Sequence, residues 1–227
     1  MNKIKTLKVG VIGLGVGAHH LKNYLNNINC EVCSVCDFDK KKLIMYKKIY
    51  KKLNFYENVE DIFKSQKLDI ISIASFDNYH YEQIAQSIKN NINIFIEKPL
   101  CLNRKELSSI IKLSKKNPHL VISSNMVLRC NPRFQHLRKL YKSKKFQDLY
   151  FIESDYYWGR AFKLSQWRAK IDNYSIILGA AIHLIDLILW VIGQKPTHVE
   201  AIGNRVGHES KMIKSNLFSS INLIFKN

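Results

Sequence analysis

The residues best placed to do chemistry in this 227-residue chain are a lysine that follows an apolar run and a histidine inside an apolar helix. At Ile92-Asn93-Ile94-Phe95-Ile96-Glu97-Lys98-Pro99 a hydrophobic stretch empties directly into a charged pair and a proline. An ammonium partly desolvated beside a second positive charge has its pKa lowered, and it can then exchange a proton with a substrate. Pro99 restricts the backbone and admits a cis peptide that would aim Lys98. Read for structure alone, the same residues form a strand-terminal Glu97–Lys98 ion pair closed by a stop proline, and spacing leaves both readings open. His183 lies in Ala180-Ala181-Ile182-His183-Leu184-Ile185-Asp186. His183 and Asp186, three apart, share a helix face on which the carboxylate can orient the imidazole. The alternative is a histidine satisfied inside an interface. The small Gly179-Ala180-Ala181 before it admits either a ligand or a neighbouring element.

Lys98 needs a partner group, and the start of the chain offers a place for one. Val9, Val11, Ile12 and Leu14 form a short buried strand, followed by Gly13-Leu14-Gly15-Val16-Gly17-Ala18. This fits G-x-G-x-x-G/A with Ala18 in the third position. Gly13 permits the tight turn, Gly15 lets a pyrophosphate lie on bare backbone beside Val16 and Gly17, and Ala18 lets the helix sit close to the strand. The helix N-terminus then offers N–H groups and its positive dipole to the phosphates. A second strand over residues 31–36 ends at Asp37, about 20 residues past the turn, where a carboxylate binds the adenosine ribose. Such a carboxylate repels a 2′-phosphate, so the expected cofactor is NAD rather than NADP.

Strands at 68–74, 92–96 and 120–123 alternate with helices at 39–52, 59–64, 79–89 and 103–115. In the 39–52 helix Leu43, Ile44 and Ile49 are expected to face inward. Asn103 with Glu106 three residues later reads as a capping box. Such alternation implies an α/β domain, a parallel Rossmann-type sheet over residues 1–124, with ligands beyond the carboxyl ends of the strands. The glycine turn, Asp37, Ser75 to Asn78 and Glu97-Lys98-Pro99 all fall at such ends. After residue 124 the alternation stops. Helices at 131–141 and 175–192, the latter ending at Gly193, and strands at 149–158, 199–203 and 217–225 suggest an incomplete α+β domain over 125–227.

Composition bounds the partners. The chain is 46% hydrophobic and carries 36 Lys+Arg against 18 Asp+Glu, a net charge of +18. The lysines are dispersed in small clusters without a nucleic-acid-binding motif, so the excess reads as a solvated basic surface and no nucleic-acid partner is expected. No apolar run is long enough to span a membrane, and the first residues lack a signal-peptide core, so a soluble cytoplasmic protein is expected. Cys30, Cys33 and Cys36 have an iron–sulfur-like spacing. On a strand, however, side chains alternate, which would point Cys33 opposite to Cys36, so no metal site is expected. Reduced thiols fit better.

Taken together, these residues resemble the Gfo/Idh/MocA oxidoreductase family, named for glucose–fructose oxidoreductase and inositol dehydrogenase. The resemblance runs through the glycine loop with His20 after it, Val35-Cys36-Asp37, Asn78-Tyr79-His80, Glu97-Lys98-Pro99 and Arg129 with Pro132-Arg133-Phe134. It continues through Tyr156-Tyr157-Trp158-Gly159-Arg160, Trp167-Arg168 and the segment from His183 to Asp186. It implies an NAD-dependent oxidoreductase acting on a secondary alcohol of a sugar, cyclic polyol or nucleotide sugar, with a mainly antiparallel sheet in residues 125–227 that serves substrate binding and oligomerisation. By resemblance Lys98 and His183 are catalytic, and Asp186 joins them in the substrate site. Gly13, Gly15, Val16, Gly17, Asp37, Ser75, Asn78, His80, Glu97, Lys98, Trp167 and Arg168 bind the cofactor. Some relatives instead use NAD transiently to cleave a glycosidic bond without net redox change, and a non-catalytic NAD-binding protein is the third reading. Two departures stand out. Many members carry an aspartate one helical turn before the histidine, where this chain has Gly179. Relatives also continue beyond Asn227 to complete the second sheet, so a shortened form is expected, or assembly into a homo-oligomer through that sheet.

Overall fold

The computed structural model describes residues 5–65, 67–146, 149–172, 174–204 and 216–226. Their contacts divide the chain into two compact units that meet between Asn125 and Met126. The first is a six-stranded, all-parallel sheet in the order β3-β2-β1-β4-β5-β6. Its strands are β1 (Leu7–Ile12), β2 (Cys30–Cys36), β3 (Asn54–Tyr56), β4 (Ile70–Ile73), β5 (Asn93–Ile96) and β6 (Ile122–Ser124). Helices α1 (Gly17–Leu25), α2 (Lys40–Ile49), α3 (Val59–Ser65), α4 (His80–Lys89) and α5 (Arg104–Lys116) connect them. The order reverses between β1 and β4, which opens a crevice beyond their carboxyl ends.

Parallel strands buried on both faces demand apolar residues in succession, and β1 and β4 supply them. Val9, Val11, Leu14, Val32 and Val35 pack with Leu21 of α1 and Leu43 of α2. Ile12, Ile71, Ile73, Ile94 and Ile96 pack with Ile62 of α3, Ile84 and Ile88 of α4 and Ile110 of α5. The caps follow the sequence. Asp39 accepts from Lys41 N and Lys42 N at the start of α2, and Asn103 accepts from Glu106 N at 3.0 Å while Glu106 accepts from Leu102 N at 2.9 Å.

Three expectations for this unit are corrected. Ile44 and Ile49 are 59% and 61% exposed, so Leu43 alone of the three faces the core. The last strand runs from Ile122 to Ser124 rather than over 120–123. Alternation in β2 is broken by a register shift opposite Val9 and Gly10, which pair with Val32 and Ser34 and pass over Cys33. The extra residue puts Cys33 and Cys36 against the same isoleucine cluster, while Cys30 packs against the valine cluster. Burial pushes the Cys36 thiol up to about 12, with Asp37 adding to the effect. All five cysteines are free thiols, and no cluster of metal-ligating side chains occurs among the described residues.

The second unit holds α6 (Pro132–Lys142), α7 (Ile182–Ile192) and a two-stranded antiparallel ribbon of β7 (His198–Asn204) and β8 (Phe218–Ile224). Asn131 caps α6 by accepting from Arg133 N, with Pro132 in the first turn. A π-helical turn, Ile177–Ala181, leads into α7, which ends at Gly193 in the left-handed conformation (φ 76°). Residues 149–158, expected as a long strand, form no strand. They line an open cavity of about 1010 Å³ with Ala180 of the π-helical turn, with Leu184 and Ile188 of α7 and with β8. They pair with no strand among the described residues, and an unpaired extended segment leaves its backbone groups to water. No helix among the described residues is long and apolar enough to cross a membrane.

Candidate active site

Backbone hydrogen bonds cross the carboxyl edge of the parallel sheet in one row. Asp37 N donates to Tyr56 O, Gly13 N to Cys36 O, Ala74 N to Ile12 O, Glu97 N to Ile73 O, and Asn125 N to Ile96 O, at 2.7 to 3.2 Å. The row brings Asp37, the glycine turn, the loop after β4 and Glu97-Lys98 onto a single rim. From β2 to β5 it spans three strand spacings, roughly 14 Å.

The glycines divide the work. Gly13 has φ +89°, and a Cβ there would strike Ala74 O with Ser75 N at 2.9 Å. Gly17 is buried, and a Cβ there would meet Ala74 Cβ at 3.0 Å. The close helix–strand approach assigned to Ala18 therefore belongs to Gly17. Gly15 is different, because nothing lies within 4 Å of its would-be Cβ. Its own neighbours do not require glycine, whereas a diphosphate resting on the turn does. Asp37, only 5% exposed, accepts from Leu14 N at 2.6 Å and from Asp39 N at 2.8 Å. It thus ties the glycine turn to the end of β2, and its remaining lone pairs can take a ribose hydroxyl. The residues present fit a dinucleotide.

Glu97 and Lys98 end β5, and the Lys98–Pro99 peptide is cis. The Glu97 carboxylate is held by His20 Nε2 at 3.0 Å and by Asn125 Nδ2 at 2.6 Å. His20 Nδ1 in turn meets Ser72 Oγ at 2.9 Å. This network links α1, β4, the end of β5 and the residue that follows β6. Burial raises the Glu97 pKa, but the hydrogen bonds from His20 and Asn125 outweigh it and hold the carboxyl below its ordinary range. Sequence reasoning did not assign Ser72 or Asn125, and named His20 only as part of a resemblance. The available signal was that His20 follows Gly17 by three and so points inward with it.

Ser75 Oγ donates to Gln83 Oε1 at 2.7 Å, and Asn78 stands exposed in the 3₁₀ turn Asp77–Tyr79. His80 is corrected. Its side chain is fully buried, with Nδ1 2.6 Å from Pro99 O and Nε2 3.3 Å from Ser75 O. Both ring nitrogens are thus engaged by the loops after β4 and β5, which the side chain braces.

In the second unit the expected pairing of His183 with Asp186 is also corrected. Asp186 is held from both sides by Arg129, with Nε donating to Oδ2 at 2.8 Å and Nη2 to Oδ1 at 2.5 Å. That contact raises the Arg129 pKa. The imidazole of His183 instead stacks on Tyr156, with ring centroids 6.4 Å apart and planes at 15°. Trp167 and Arg168 share the 3₁₀ turn Trp167–Lys170. The Arg168 guanidinium lies over the Trp167 ring at 4.1 Å, and its Nε donates to the Tyr174 hydroxyl at 3.1 Å.

Residues 7–124 match a family described as "Oxidoreductase family, NAD-binding Rossmann fold" (GFO_IDH_MocA), and residues 134–226 match the GFO/IDH/MocA C-terminal domain. Inositol 2-dehydrogenase of Salmonella typhimurium is 21% identical over 83% of this chain and 55% of its own length. The crystal structure of myo-inositol 2-dehydrogenase from Lactobacillus plantarum superposes with a TM-score of 0.86 at 22% identity, covering 96% of this chain and 66% of that one. Scyllo-inositol dehydrogenase from Lactobacillus casei, solved with NAD(H) and scyllo-inositol, gives a TM-score of 0.80 at 20% identity, over 96% of this chain and 65% of that one. The chain thus spans between about half and two thirds of the length of these proteins.

Proposed function

Because this chain belongs to the Gfo/Idh/MocA oxidoreductase family, with the family's NAD-binding Rossmann fold over residues 7–124, we propose that it oxidises a secondary alcohol of a cyclic polyol or sugar with NAD. The observation that carries this reading is the shared rim. The bare backbone at Gly15, the Asp37 carboxylate and Lys98 all stand at the carboxyl ends of neighbouring strands. NAD, when bound, accepts a hydride from the carbinol carbon. The Gly13–Gly17 turn and the first turn of α1 would hold the diphosphate, and Asp37 a ribose hydroxyl. Lys98, on a strand end anchored through Glu97, His20 and Asn125, takes up the hydroxyl proton as the carbonyl forms. His183 hydrogen-bonds the substrate hydroxyl. The dehydrogenase names of the relatives support a polyol substrate.

Assembly through the second-unit sheet belongs to the same reading, since Val199, Ile202, Phe218 and Ile224 stand exposed on the ribbon. The five free thiols suit the reducing cytoplasm.

The test is direct. Calorimetry with NAD should give saturable binding, and myo-inositol should then produce NADH. Lys98→Met should retain NAD binding while its NADH production falls by about 100-fold or more. Equal rates for Lys98→Met and the parent protein would remove Lys98 from the chemistry. Release of free sugar from a glycoside without NADH would replace oxidation with glycosidic cleavage.

A further inference from the structure

We propose that Phe38 and Phe76 form the seat of the adenine ring, which stacks on them at the rim of the parallel sheet. The assignment rests on the dinucleotide reading given above.

Phe38 directly follows Asp37, the carboxylate that can take a ribose hydroxyl, and Phe76 directly follows Ser75 in the loop after β4. β2 and β4 are not neighbours in the sheet, because β1 runs between them. Their ends therefore stand two strand spacings apart, about 10 Å. The two rings nevertheless meet, with centroids 5.4 Å apart and planes at 61°. The pair thus reaches across the carboxyl end of β1, where the glycine turn begins. In a nucleotide the ribose lies between the phosphates and the base. With the diphosphate on Gly15 and the ribose on Asp37, the base falls beyond Asp37, and the next side chain there is Phe38.

Both backbones are held while the rings are offered outward. Asp37 N donates to Tyr56 O at 3.2 Å and Asp39 N to Asp37 Oδ1 at 2.8 Å, so Phe38 sits between two fixed residues. Phe76 O accepts from Tyr79 N at 2.9 Å and closes the 3₁₀ turn that Phe76 caps. Phe38 is 67% exposed and so contributes little to the core. One exposed apolar side chain is ordinary on a protein surface. Two aromatic rings brought together from separate loops beside a ribose-binding carboxylate form a platform. Adenine suits it, since its faces are aromatic and its nitrogens lie on its edge. The base can stack on a phenyl ring while that edge stays in water. The rings then recognise a flat base and leave the choice of ribose to Asp37.

The experiment is calorimetry of the full chain with ADP-ribose, which carries the adenine, both riboses and the diphosphate but no nicotinamide. Phe38→Ala should bind it about 10-fold more weakly, within the roughly 5- to 150-fold range for taking one ring from under a base. It should melt with the parent protein. Phe38→Tyr keeps the ring and should bind as the parent does. Phe76→Leu keeps an apolar side chain without a ring face and should also bind more weakly. In ¹H NMR the adenine H2 and H8 signals should move upfield on binding to the parent, and by less on binding to Phe38→Ala. Parent-like affinities and shifts in both Phe38→Ala and Phe76→Leu overturn the seat and leave the dinucleotide site standing. No ADP-ribose binding by the parent protein overturns both.

Discussion

Glu97 shows how single contacts set the character of the rim. Its carboxylate is 16% exposed, yet it is held in the ionised form by His20 and Asn125. A carboxyl whose pKa is lower in the folded state contributes stability that is complete above its unfolded value. That contribution is lost as pH falls through the folded value. Chemical denaturation of the parent protein should therefore show Glu97-dependent stability at neutral pH that disappears in acid, below the ordinary value of 4.5. Glu97→Gln should flatten that part of the profile. His20→Ala removes one of the two side chains holding the carboxylate and should cost about 1–3 kcal/mol at neutral pH, measured by urea titration. A His20→Ala protein as stable as the parent would mean that Asn125 alone suffices. These partners were hard to read in advance for a physical reason. Ser72, Glu97 and Asn125 lie more than fifty residues from His20 along the chain, and no local periodicity records such a contact. The same holds for Asp186, whose partner Arg129 lies 57 residues away.

At the scale of elements, the turn between β1 and α1 separates two demands made on glycine. Gly13 is required by the fold, because its φ is positive and Ala74 O closes off the Cβ position. Gly15 is required only by what lies outside the protein. Gly13→Ala is expected to destabilise the chain by about 2 kcal/mol or more and to shift the thermal midpoint. Gly15→Ala should melt with the parent protein and yet lose most of its calorimetric NAD signal. A Gly15→Ala protein that binds NAD normally would place the diphosphate elsewhere. The strands around this turn were legible because parallel strands buried on both faces appear as short, nearly continuous apolar runs such as Val9 to Ile12 and, with Ser72 the one polar member, Ile70 to Ile73. The register shift at Cys33 was not legible, since a bulge inserts a residue without changing composition. Residues 149–158 failed in the opposite way. Their alternation is a valid strand pattern, but a strand also needs a neighbour to hydrogen-bond with, and sequence pattern supplies only half of that condition.

Across the whole molecule, order is unevenly distributed. The first unit buries isoleucines and valines of its strands in two clusters packed against its helices. In the second unit the β7 residues are exposed throughout, and β8 alternates between exposed and half-buried positions. Two hydrogen-bonded strands without a covering layer are marginally stable in water. Deuterium uptake followed by mass spectrometry should thus separate the chain into two tiers. Amides of β1, β4 and β5 should exchange last, by global unfolding, and those of β7 and β8 first, by local opening. Equal protection of ribbon and parallel sheet would show that the ribbon has acquired a cover in solution. Either way the ribbon is a built-in gauge: the exchange rate at Ile202 or Ser220, strand partners in the ladder, should slow as soon as anything settles on it. Assembly of this chain can thereby be followed without attaching a label.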